Sequence, residues 1–281
     1  MDSADSQRIS LPHGVEMDIA HVCNLHCRFC SHYSNYTLKG VVPLATAAPW
    51  LDALHRKVIP NSFYILGGEP TLNPDLCDYI WLVAELWPDI ERGVVTNGLM
   101  LDRHPDLWST LAETGTILAI SRHSRSDQPY LDKFEPAMVK AEEMAKRHGV
   151  NLIRREGYYA FYRTYQGEGP GMRPFAEGNP GQSWTVCANR YCMSLYQGRL
   201  WKCPPIAFLE MVLRKFGLEG HEAWAPYLAY RGLDVHASMP EYAAFMKANF
   251  GPEPICGMCP TQLDFFEHED VTTPFRAPGK P

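Results

Sequence analysis

The chain has 281 residues, of which 46% are hydrophobic and 21% are charged. This length and composition suit a globular protein with one large domain, or a large and a small one, and they exclude disorder, collagen and coiled coil. The net charge is −6, there is no basic tract, and no apolar run is long enough for a membrane span, so we expect neither nucleic acid nor a membrane as partner. Because the N-terminus is polar and does not resemble a signal peptide, we expect a cytoplasmic protein.

The first two thirds of the chain alternate between patterns typical of strands and helices. Strands are predicted at residues 15–20, 62–66, 93–96, 116–121 and 150–154, and helices at 44–58, 74–86, 107–113 and 135–148. Repeated strand–helix units predict an α/β fold with a parallel sheet and helices outside. In such a sheet, ligands gather at the C-terminal ends of the strands.

Cysteines are the unusual feature of the composition, because the chain has nine of them and no export signal. Disulfides are rare in a reducing cytosol, so this number favours metal or redox chemistry. Three cysteines form a tight N-terminal group and five lie in the last third of the chain. Cys77 stands alone in a predicted helix, where a small buried hydrophobic residue is the expected role.

The N-terminal group has the spacing C-x3-C-x2-C, formed by Cys23, Cys27 and Cys30. A structural zinc site takes four ligands, and His26 or His32 could supply the fourth, so zinc stays open. Alternatively, three thiolates around a [4Fe–4S] cluster would leave one iron free to bind another molecule.

A second motif follows the next predicted strand, where residues 67–70 read Gly-Gly-Glu-Pro. Two glycines let the backbone approach a ligand closely. Together with the cysteine spacing, this loop resembles the signature of the radical S-adenosylmethionine (SAM) superfamily. The resemblance implies a partial (β/α)6 barrel, a SAM-binding [4Fe–4S] cluster and an external one-electron reductant such as a flavodoxin or a ferredoxin.

The resemblance also implies roles for individual residues. Three cysteines would hold the cluster, and residues on the loops after the strands would hold SAM. The implied cluster ligands are Cys23, Cys27 and Cys30; Phe29 would lie by the adenine; Gly67, Gly68 and Glu69 would hold the methionine amino group; and Thr96, Asn97 and Ser121 would contact the ribose or the carboxylate. A strand-end cap is an equal alternative for each of the last three. Arg154, or its neighbour Arg155, would pair with the SAM carboxylate.

The last third of the chain carries a second cysteine pattern. Cys187 and Cys203 flank Gly198, which lies in a predicted hairpin of residues 193–196 and 199–202, and Cys256 and Cys259 follow later as a C-x2-C pair. This resembles the Twitch subset of SPASM radical SAM enzymes and implies a second, auxiliary [4Fe–4S] cluster. A four-cysteine zinc site is the alternative, since thiolate spacing alone does not separate the two.

These patterns divide the chain into four segments. We expect the radical SAM barrel at 13–166, a Gly/Pro-rich linker at 167–181, a small hairpin-plus-helix Twitch domain at 182–271 and a loose tail at 272–281. Two further helices, at 206–216 and 240–250, are expected to pack the small domain. Only about a dozen residues precede the first strand, which favours a small substrate over a peptide.

Cys192 is left over from the two cysteine patterns. It could be a buried thiol, or it could replace Cys187 as a cluster ligand. It could also return a hydrogen atom to a substrate carbon from which a 5′-deoxyadenosyl radical has taken one, and that would make the enzyme an epimerase. By resemblance, the substrate would be a sugar or an aminoglycoside. A dehydrogenase that passes an electron to the auxiliary cluster, a peptide-modifying enzyme and a non-catalytic zinc module are the alternatives.

Overall fold

The computed structural model describes residues 8–159 and 161–276. An eight-stranded sheet forms the centre of this part of the chain. Its strands, in spatial order, are Leu233–Asp234 (β11), Arg199–Trp201 (β10), Met193–Tyr196 (β9), Val15–Ala20 (β2), Ser62–Gly67 (β4), Glu91–Thr96 (β5), Ile117–Arg122 (β6) and Leu152–Glu156 (β7). Two smaller sheets pair Ile9–Ser10 (β1) with Val58–Ile59 (β3) and Phe161–Tyr162 (β8) with Phe265–Phe266 (β12).

The strands from β9 to β7 run parallel, whereas β10 and β11 are antiparallel to their neighbours. This confirms the predicted α/β class with a sheet dominated by parallel pairs, as in a partial radical SAM barrel. In the described residues, five parallel strands come from the barrel segment. The sixth parallel strand, β9, belongs to the C-terminal hairpin and pairs with β2, with Glu16 opposite Ser194.

Helices connect the strands and cover the outside of the sheet. Their bounds are Leu44–His55 (α1), Leu76–Leu86 (α2), Leu107–Thr114 (α3), Gln128–His148 (α4), Pro180–Val186 (α5), Pro204–Ala207 (α6), Leu209–Phe216 (α7), Ala225–Leu228 (α8) and Met239–Asn249 (α9). Helix α4 begins well before the predicted residue 135. The Asp127 carboxylate caps it by accepting a hydrogen bond from the backbone N–H of Tyr130, and such a cap starts a helix efficiently. None of the helices in these ranges is long and apolar enough to cross a membrane.

Side chains alternate between two environments along strand β2. Val15, Met17 and Ile19 are buried in the core between the sheet and the helices. Because successive side chains of a strand point to opposite faces, Glu16 and Asp18 lie on the inner face of the barrel. The inner face of the barrel therefore carries two acidic side chains beneath the loop that bears Cys23, Cys27 and Cys30, which we call the cysteine loop.

The hairpin of β9 and β10 shares its packing with the barrel. Met193, Leu195 and Leu200 belong to the same hydrophobic core as the barrel strands. A second hydrophobic cluster joins aromatic side chains of the cysteine loop, such as Tyr33 and Tyr36, to helices α6 and α7. One continuous sheet and these shared clusters connect the predicted barrel and Twitch segments.

Segments predicted as linker and tail are also held in place. Arg28 donates two hydrogen bonds of 2.9 Å to Glu168, within the predicted linker. The tail, predicted to be loose from residue 272, is packed as far as residue 276, because Phe275 lies edge-on against Tyr36 with ring centroids 4.9 Å apart. The prediction for 277–281 lies outside the described residues.

Candidate functional site

A cavity of about 390 Å³ opens at the C-terminal ends of the barrel strands. The cysteine loop that follows β2 lines one side, and the Gly-Gly loop after β4 lines another. Strand ends of β5, β6 and β7 contribute polar side chains, and residues 188–192 of the C-terminal segment close the wall. This is the position where ligands bind in parallel barrels.

Cys23, Cys27 and Cys30 all line this cavity, on one loop. The loop folds tightly because Phe29 and Tyr33 adopt left-handed conformations, with φ of 55° and 57°. The backbone N–H of Leu25 donates to the Cys23 sulfur at 3.4 Å. Burial raises the pKa of Cys30, and the backbone N–H groups of His32, Ser34 and Asn35 partly offset that rise. Amide donors directed at sulfur stabilise thiolates, as is typical of iron–sulfur sites.

Burial and mutual proximity oppose ionisation of these three thiols. Burial raises the pKa of Cys27 far above its ordinary range, and the neighbouring Cys23 and Cys30 raise it further. Burial likewise raises the pKa of Cys23 and Cys30. Three thiolates are therefore stable together here only with a cationic metal group between them.

Phe29, predicted to lie by the adenine, is buried at the cavity wall. Its ring packs against Tyr165 and Phe266, and the guanidinium of Arg163 lies 5.0 Å from its centre. The side chain is thus held rigidly by the protein on several sides. What it offers the cavity is an aromatic wall beside the cysteine loop.

The structure shows why both positions of the Gly-Gly-Glu-Pro loop must be glycine, which the sequence did not reveal. A Cβ on Gly67 would lie 2.4 Å from the carbonyl oxygen of Ala20, and a Cβ on Gly68 would lie 2.4 Å from that of Val22. The backbone N–H groups of Gly68 and Glu69 donate to these same two carbonyls, at 2.7 and 3.0 Å. The loop therefore holds the start of the cysteine loop, and both glycines also line the cavity.

The structure gives Glu69 a position different from the predicted SAM contact. Its side chain is fully buried, and its carboxylate accepts hydrogen bonds from the Thr71 N–H and hydroxyl at 3.0 and 2.7 Å. It also accepts from the Thr96 hydroxyl at 2.6 Å and from the Asn97 N–H at 2.8 Å. Glu69 thus ties the ends of β4 and β5 together, and its lone pairs are occupied by protein donors.

Thr96 and Asn97 also differ from their predicted role. Both line the cavity, but the Thr96 hydroxyl donates to Glu69 and the Asn97 amide donates to Asn24 at 2.7 Å. They act as strand-end caps, the alternative left open by the sequence. Ser121 lines the cavity as well, and no hydrogen bond joins its hydroxyl to another described residue, so it is available to a ligand.

Of the two neighbouring arginines, the structure places the other one, and not the predicted one, at the cavity. Arg154, predicted to pair with SAM, lies on the outer face of β7, where its guanidinium is 3.6 Å from Glu135 of α4 and 3.5 Å from Glu156. Arg155 lines the cavity instead and has no salt bridge to a described residue. The physical reason is the two-residue period of a strand, which sends adjacent side chains to opposite faces.

Two half-buried histidines, His32 and His123, lie beside the cysteine loop and are neutral at neutral pH. Burial lowers the pKa of His32 to about 4 and that of His123 to about 4. His32 lies 3.7 Å from Asp18, whose own pKa is raised by burial and further by Glu16. The Nδ1 atom of His123 lies 3.6 Å from the Cys27 sulfur.

A second cavity lies behind the first and is lined by Cys187, Cys203, Cys256 and Cys259. Lys202 also lines it, buried, with its ammonium 2.8 Å from the Glu253 carboxylate. Among the described residues, no three His, Cys, Asp or Glu side chains lie close enough to ligate a single metal ion.

Cys192 does not line this second cavity. It lines the main cavity, and Asn189 lines both cavities. Glu16 of β2 also lines the main cavity. Sequence reasoning missed Glu16, although the alternation of apolar and acidic residues in Val-Glu-Met-Asp-Ile was a signal that it lies inside the barrel.

Comparison with known proteins places this site in a family. The profile of the Radical SAM superfamily matches residues 17–157, which is half of the chain. The chain belongs to the radical SAM superfamily. Binding of SAM and a [4Fe–4S] cluster is the chemistry of this superfamily. No curated protein matches the sequence.

Several solved radical SAM structures resemble the chain at low sequence identity. BtrN, in complex with AdoMet and 2-DOIA, is 15% identical, and the match covers 94% of this chain and 99% of BtrN with a TM-score of 0.52. SuiB of Streptococcus suis, bound to S-adenosylmethionine, is 15% identical over 81% of this chain and 70% of SuiB, with a TM-score of 0.42. AdoMet-bound anSMEcpe is 19% identical over 51% of this chain, with a TM-score of 0.40, and the chain spans only 44% of its length.

The residues of the main cavity fit the radical SAM cofactors. Three buried thiols that need a metal to ionise match a cluster held by three cysteines. Arg155 and Ser121 supply uncommitted polar groups for a carboxylate or a ribose, and the hydrophobic Phe29 lines the same cavity. The radical SAM site therefore consists of the cysteine loop, the Gly-Gly loop and the ends of β6 and β7.

Proposed function

We propose that the protein is a radical SAM epimerase with a Twitch auxiliary cluster, and that it inverts a carbinol carbon of a sugar or an aminoglycoside-type small molecule. One observation carries the proposal. Of the five C-terminal cysteines, four line the second cavity and the fifth, Cys192, lines the main cavity. A thiol in that position can reach a bound substrate, whereas the other four are available to a cluster.

In this proposal, Cys23, Cys27 and Cys30 hold the SAM-binding cluster, and Arg155 pairs with the SAM carboxylate in a bidentate manner. When bound, the cluster and SAM supply the 5′-deoxyadenosyl radical that takes a hydrogen atom from a substrate carbon. The protein's part is to hold SAM between the cysteine loop and the strand ends. Glu69 contributes by fixing the Gly-Gly loop rather than by contacting SAM.

Cys187, Cys203, Cys256 and Cys259 would hold the auxiliary [4Fe–4S] cluster. Lys202, which lines the same cavity, supports a negatively charged group there: burial raises the pKa of the Cys187 and Cys256 thiols, and the Lys202 ammonium offsets part of that rise. A nearby cation offsets the negative charge of a thiolate-ligated cluster, which is one of the ways a protein adjusts its potential.

Cys192 would complete the reaction from the face of the substrate opposite SAM. Its S–H bond breaks as a new C–H bond forms, and the carbon is inverted because the hydrogen atom leaves from one face and returns to the other. The thiyl radical left on Cys192 would regain one electron from the external reductant and one proton from solvent, which restores the thiol. Only the protonated thiol has a hydrogen atom to give. Burial and the adjacent Glu16 carboxylate both raise the pKa of Cys192, which keeps the thiol protonated at neutral pH.

The cavity supports a small polar substrate. Its volume of about 390 Å³ lies in the range typical of small-molecule sites. Glu16 and Arg155 place opposite charges on its walls, which suits a molecule rich in hydroxyl and amino groups. The fold is similar to that of BtrN, which was crystallised with AdoMet and 2-DOIA.

A dehydrogenase is the second candidate, and the position of Asn189 favours it. Because this residue lines both cavities, a substrate in the main cavity lies close to the proposed auxiliary cluster. After the 5′-deoxyadenosyl radical has taken a hydrogen atom from the carbinol carbon, one electron passed across that short gap to the cluster, with loss of the hydroxyl proton, would complete the oxidation of the alcohol to a ketone. The outcome then depends on whether the Cys192 thiol supplies a hydrogen atom first.

Turnover in D2O separates these outcomes. The reduced enzyme would be incubated with SAM and a panel of 2-DOIA, neomycin and paromomycin, and products would be examined by mass spectrometry. The thiol proton exchanges with solvent, so an epimerase adds one deuterium to the inverted carbon. Cys192→Ala should abolish this product while 5′-deoxyadenosine still forms, and the matched control Cys77→Ala should leave both unchanged. An oxidised product two mass units lighter, with no deuterium, would refute the epimerase in favour of the dehydrogenase.

A further inference from the structure

Three small polar side chains on the wall of the main cavity have no hydrogen-bond partner among the described residues. They are Ser34, Asn35 and Thr164, which we call the polar corner. Each is only 2% exposed, and the Ser34 Oγ, Asn35 Oδ1 and Thr164 Oγ1 atoms are buried and unpaired. A buried polar atom without a partner costs free energy, so the great majority of such atoms in native proteins are hydrogen-bonded. Three of them on one cavity wall indicate that a bound molecule pairs them.

Tyrosines next to the polar corner hold its two segments together. Its first two residues stand between Tyr33 and Tyr36, and the third directly precedes Tyr165. The hydroxyl groups of Tyr36 and Tyr165 share a hydrogen bond of 2.8 Å, and the rings of Tyr33 and Tyr165 lie 5.6 Å apart. The Tyr33 hydroxyl also donates to the carbonyl oxygen of Pro205 at 3.0 Å. The corner is therefore fixed by buried side chains around it, as expected of a binding site whose polar groups are set in place before the ligand arrives.

The chemistry of the polar corner narrows the class of ligand. All three side chains are uncharged. The Ser34 and Thr164 hydroxyl groups can each donate and accept, whereas the Asn35 carbonyl oxygen only accepts. A ligand that pairs all three must therefore bring at least one O–H or N–H donor as well as acceptors. A phosphate or a carboxylate offers no donor to Asn35, while neighbouring hydroxyl groups on a sugar ring offer both kinds of group.

We propose that the polar corner binds ring hydroxyl groups of the small-molecule substrate and so determines which hydroxyl-bearing rings the main cavity accepts. This inference rests on the proposed function, in which a sugar or an aminoglycoside-type molecule binds there. The ribose of SAM carries the same chemistry. We place the ribose with Ser121 and Arg155, which line the same cavity from the ends of β6 and β7, and the experiment separates the two sources.

The test measures binding in Thr164→Val, which keeps the shape of the side chain and removes its hydroxyl. Anaerobic, iron-loaded protein with SAM present is titrated with 2-DOIA, neomycin, paromomycin and myo-inositol by calorimetry. For a compound that wild type binds, the dissociation constant should rise about fivefold, as expected for loss of one neutral hydrogen bond. Thr164→Ser, which keeps the hydroxyl, should stay within about twofold, and the dissociation constant of SAM in equilibrium dialysis should not change. Unchanged binding of the compounds, weakened binding of SAM, or a wild-type protein that binds none of the four would overturn the proposal.

Thermal unfolding of the same iron-loaded protein, without SAM or substrate, separates binding from folding. Thr164→Val should keep or raise the midpoint, because it removes a buried group that no described residue pairs. Thr114→Val is the matched control, since its hydroxyl donates to the Thr110 carbonyl oxygen at 2.7 Å and to Thr116 at 2.8 Å, and its midpoint should fall by about 3 °C. An equal fall in Thr164→Val would make its hydroxyl a structural group and overturn the proposal. Because binding is measured without turnover, unchanged binding rejects the polar corner alone, whereas absence of deuterium in the product rejects the epimerase alone.

Discussion

The buried Glu69 carboxylate provides a quantitative test of how the cavity is built. Its two oxygens accept four hydrogen bonds from Thr71, Thr96 and Asn97. In Glu69→Gln, the new NH2 group faces at least one of these donors, so one charge-assisted hydrogen bond is lost and one buried donor is left unpaired. Such a loss costs about 3 kcal/mol, and Glu69→Ala, which removes all four bonds, should cost about 5 kcal/mol or more.

Urea unfolding of the metal-free full chain, followed by tryptophan fluorescence, measures this cost. Glu113→Gln changes an exposed carboxylate that has no hydrogen-bond partner among the described residues, and it should shift the free energy of unfolding by less than about 0.5 kcal/mol. If Glu69→Gln instead leaves stability within that margin and weakens only SAM binding, the carboxylate is a SAM ligand. The reasoning that makes it a structural link between strands would then be wrong.

Three further predictions follow from the position of single residues. Arg155→Met should weaken SAM binding by about tenfold in equilibrium dialysis, as expected for loss of a charged hydrogen bond. Arg154→Met is the control and should leave SAM binding unchanged. The reverse result would mean that Arg154, and not Arg155, pairs with SAM. Gly67→Ala should destabilise the metal-free protein by about 3 kcal/mol or more, because the new Cβ would lie 2.4 Å from a backbone carbonyl oxygen at a φ of +153° and overpacking is costly. Gly220→Ala, with open space around it, is the control. Equal losses of stability in the two variants would contradict the argument. Burial holds the pKa of His123 at about 4, so the unfolded chain takes up a proton below pH 6.5 that the folded chain does not. His123→Gln should therefore gain stability relative to wild type by about 3 kcal/mol as pH falls from 7 to 4, and a pH-independent difference would refute the depressed pKa.

The order of strands and helices could be predicted because each carries a clear period and a clear boundary. Strands β2, β4, β5, β6 and β7 all lie within two residues of their predicted positions. Helix α4 is the exception, since Pro136 resembled a helix start but lies inside the helix, and the true start is the cap at Asp127. Asp127 with a proline two positions later is as strong a signal for a helix start as the pattern at Pro136.

The division of the cysteines could also be anticipated, because ligand spacing is local information. The pairing of β9 with β2 was not accessible in this way, since it depends on long-range contacts between the two ends of the chain. That pairing brings Glu16 to Cys192. The face on which a side chain lies also depends on register, and for this reason the sequence did not distinguish Arg154 from Arg155.

The Gly-Gly-Glu-Pro loop shows how a motif can be recognised before its physics is understood. The resemblance assigned all three of Gly67, Gly68 and Glu69 to SAM. In the structure, the glycines avoid a collision with the backbone of residues 20–22, and the glutamate links two strand ends. Much of what this motif does is therefore to hold the cysteine loop in position.

Iron analysis of two cysteine variants tests the central claim most directly. The claim is that seven cysteines hold two clusters and that Cys192 is free, which predicts about eight irons per chain in the anaerobically reconstituted protein. Cys192→Ala should keep about eight irons, whereas Cys187→Ala should fall towards about four as the auxiliary cluster is lost. The opposite pattern, with iron lost from Cys192→Ala and kept in Cys187→Ala, would make Cys192 a cluster ligand and contradict its role as the hydrogen-atom donor.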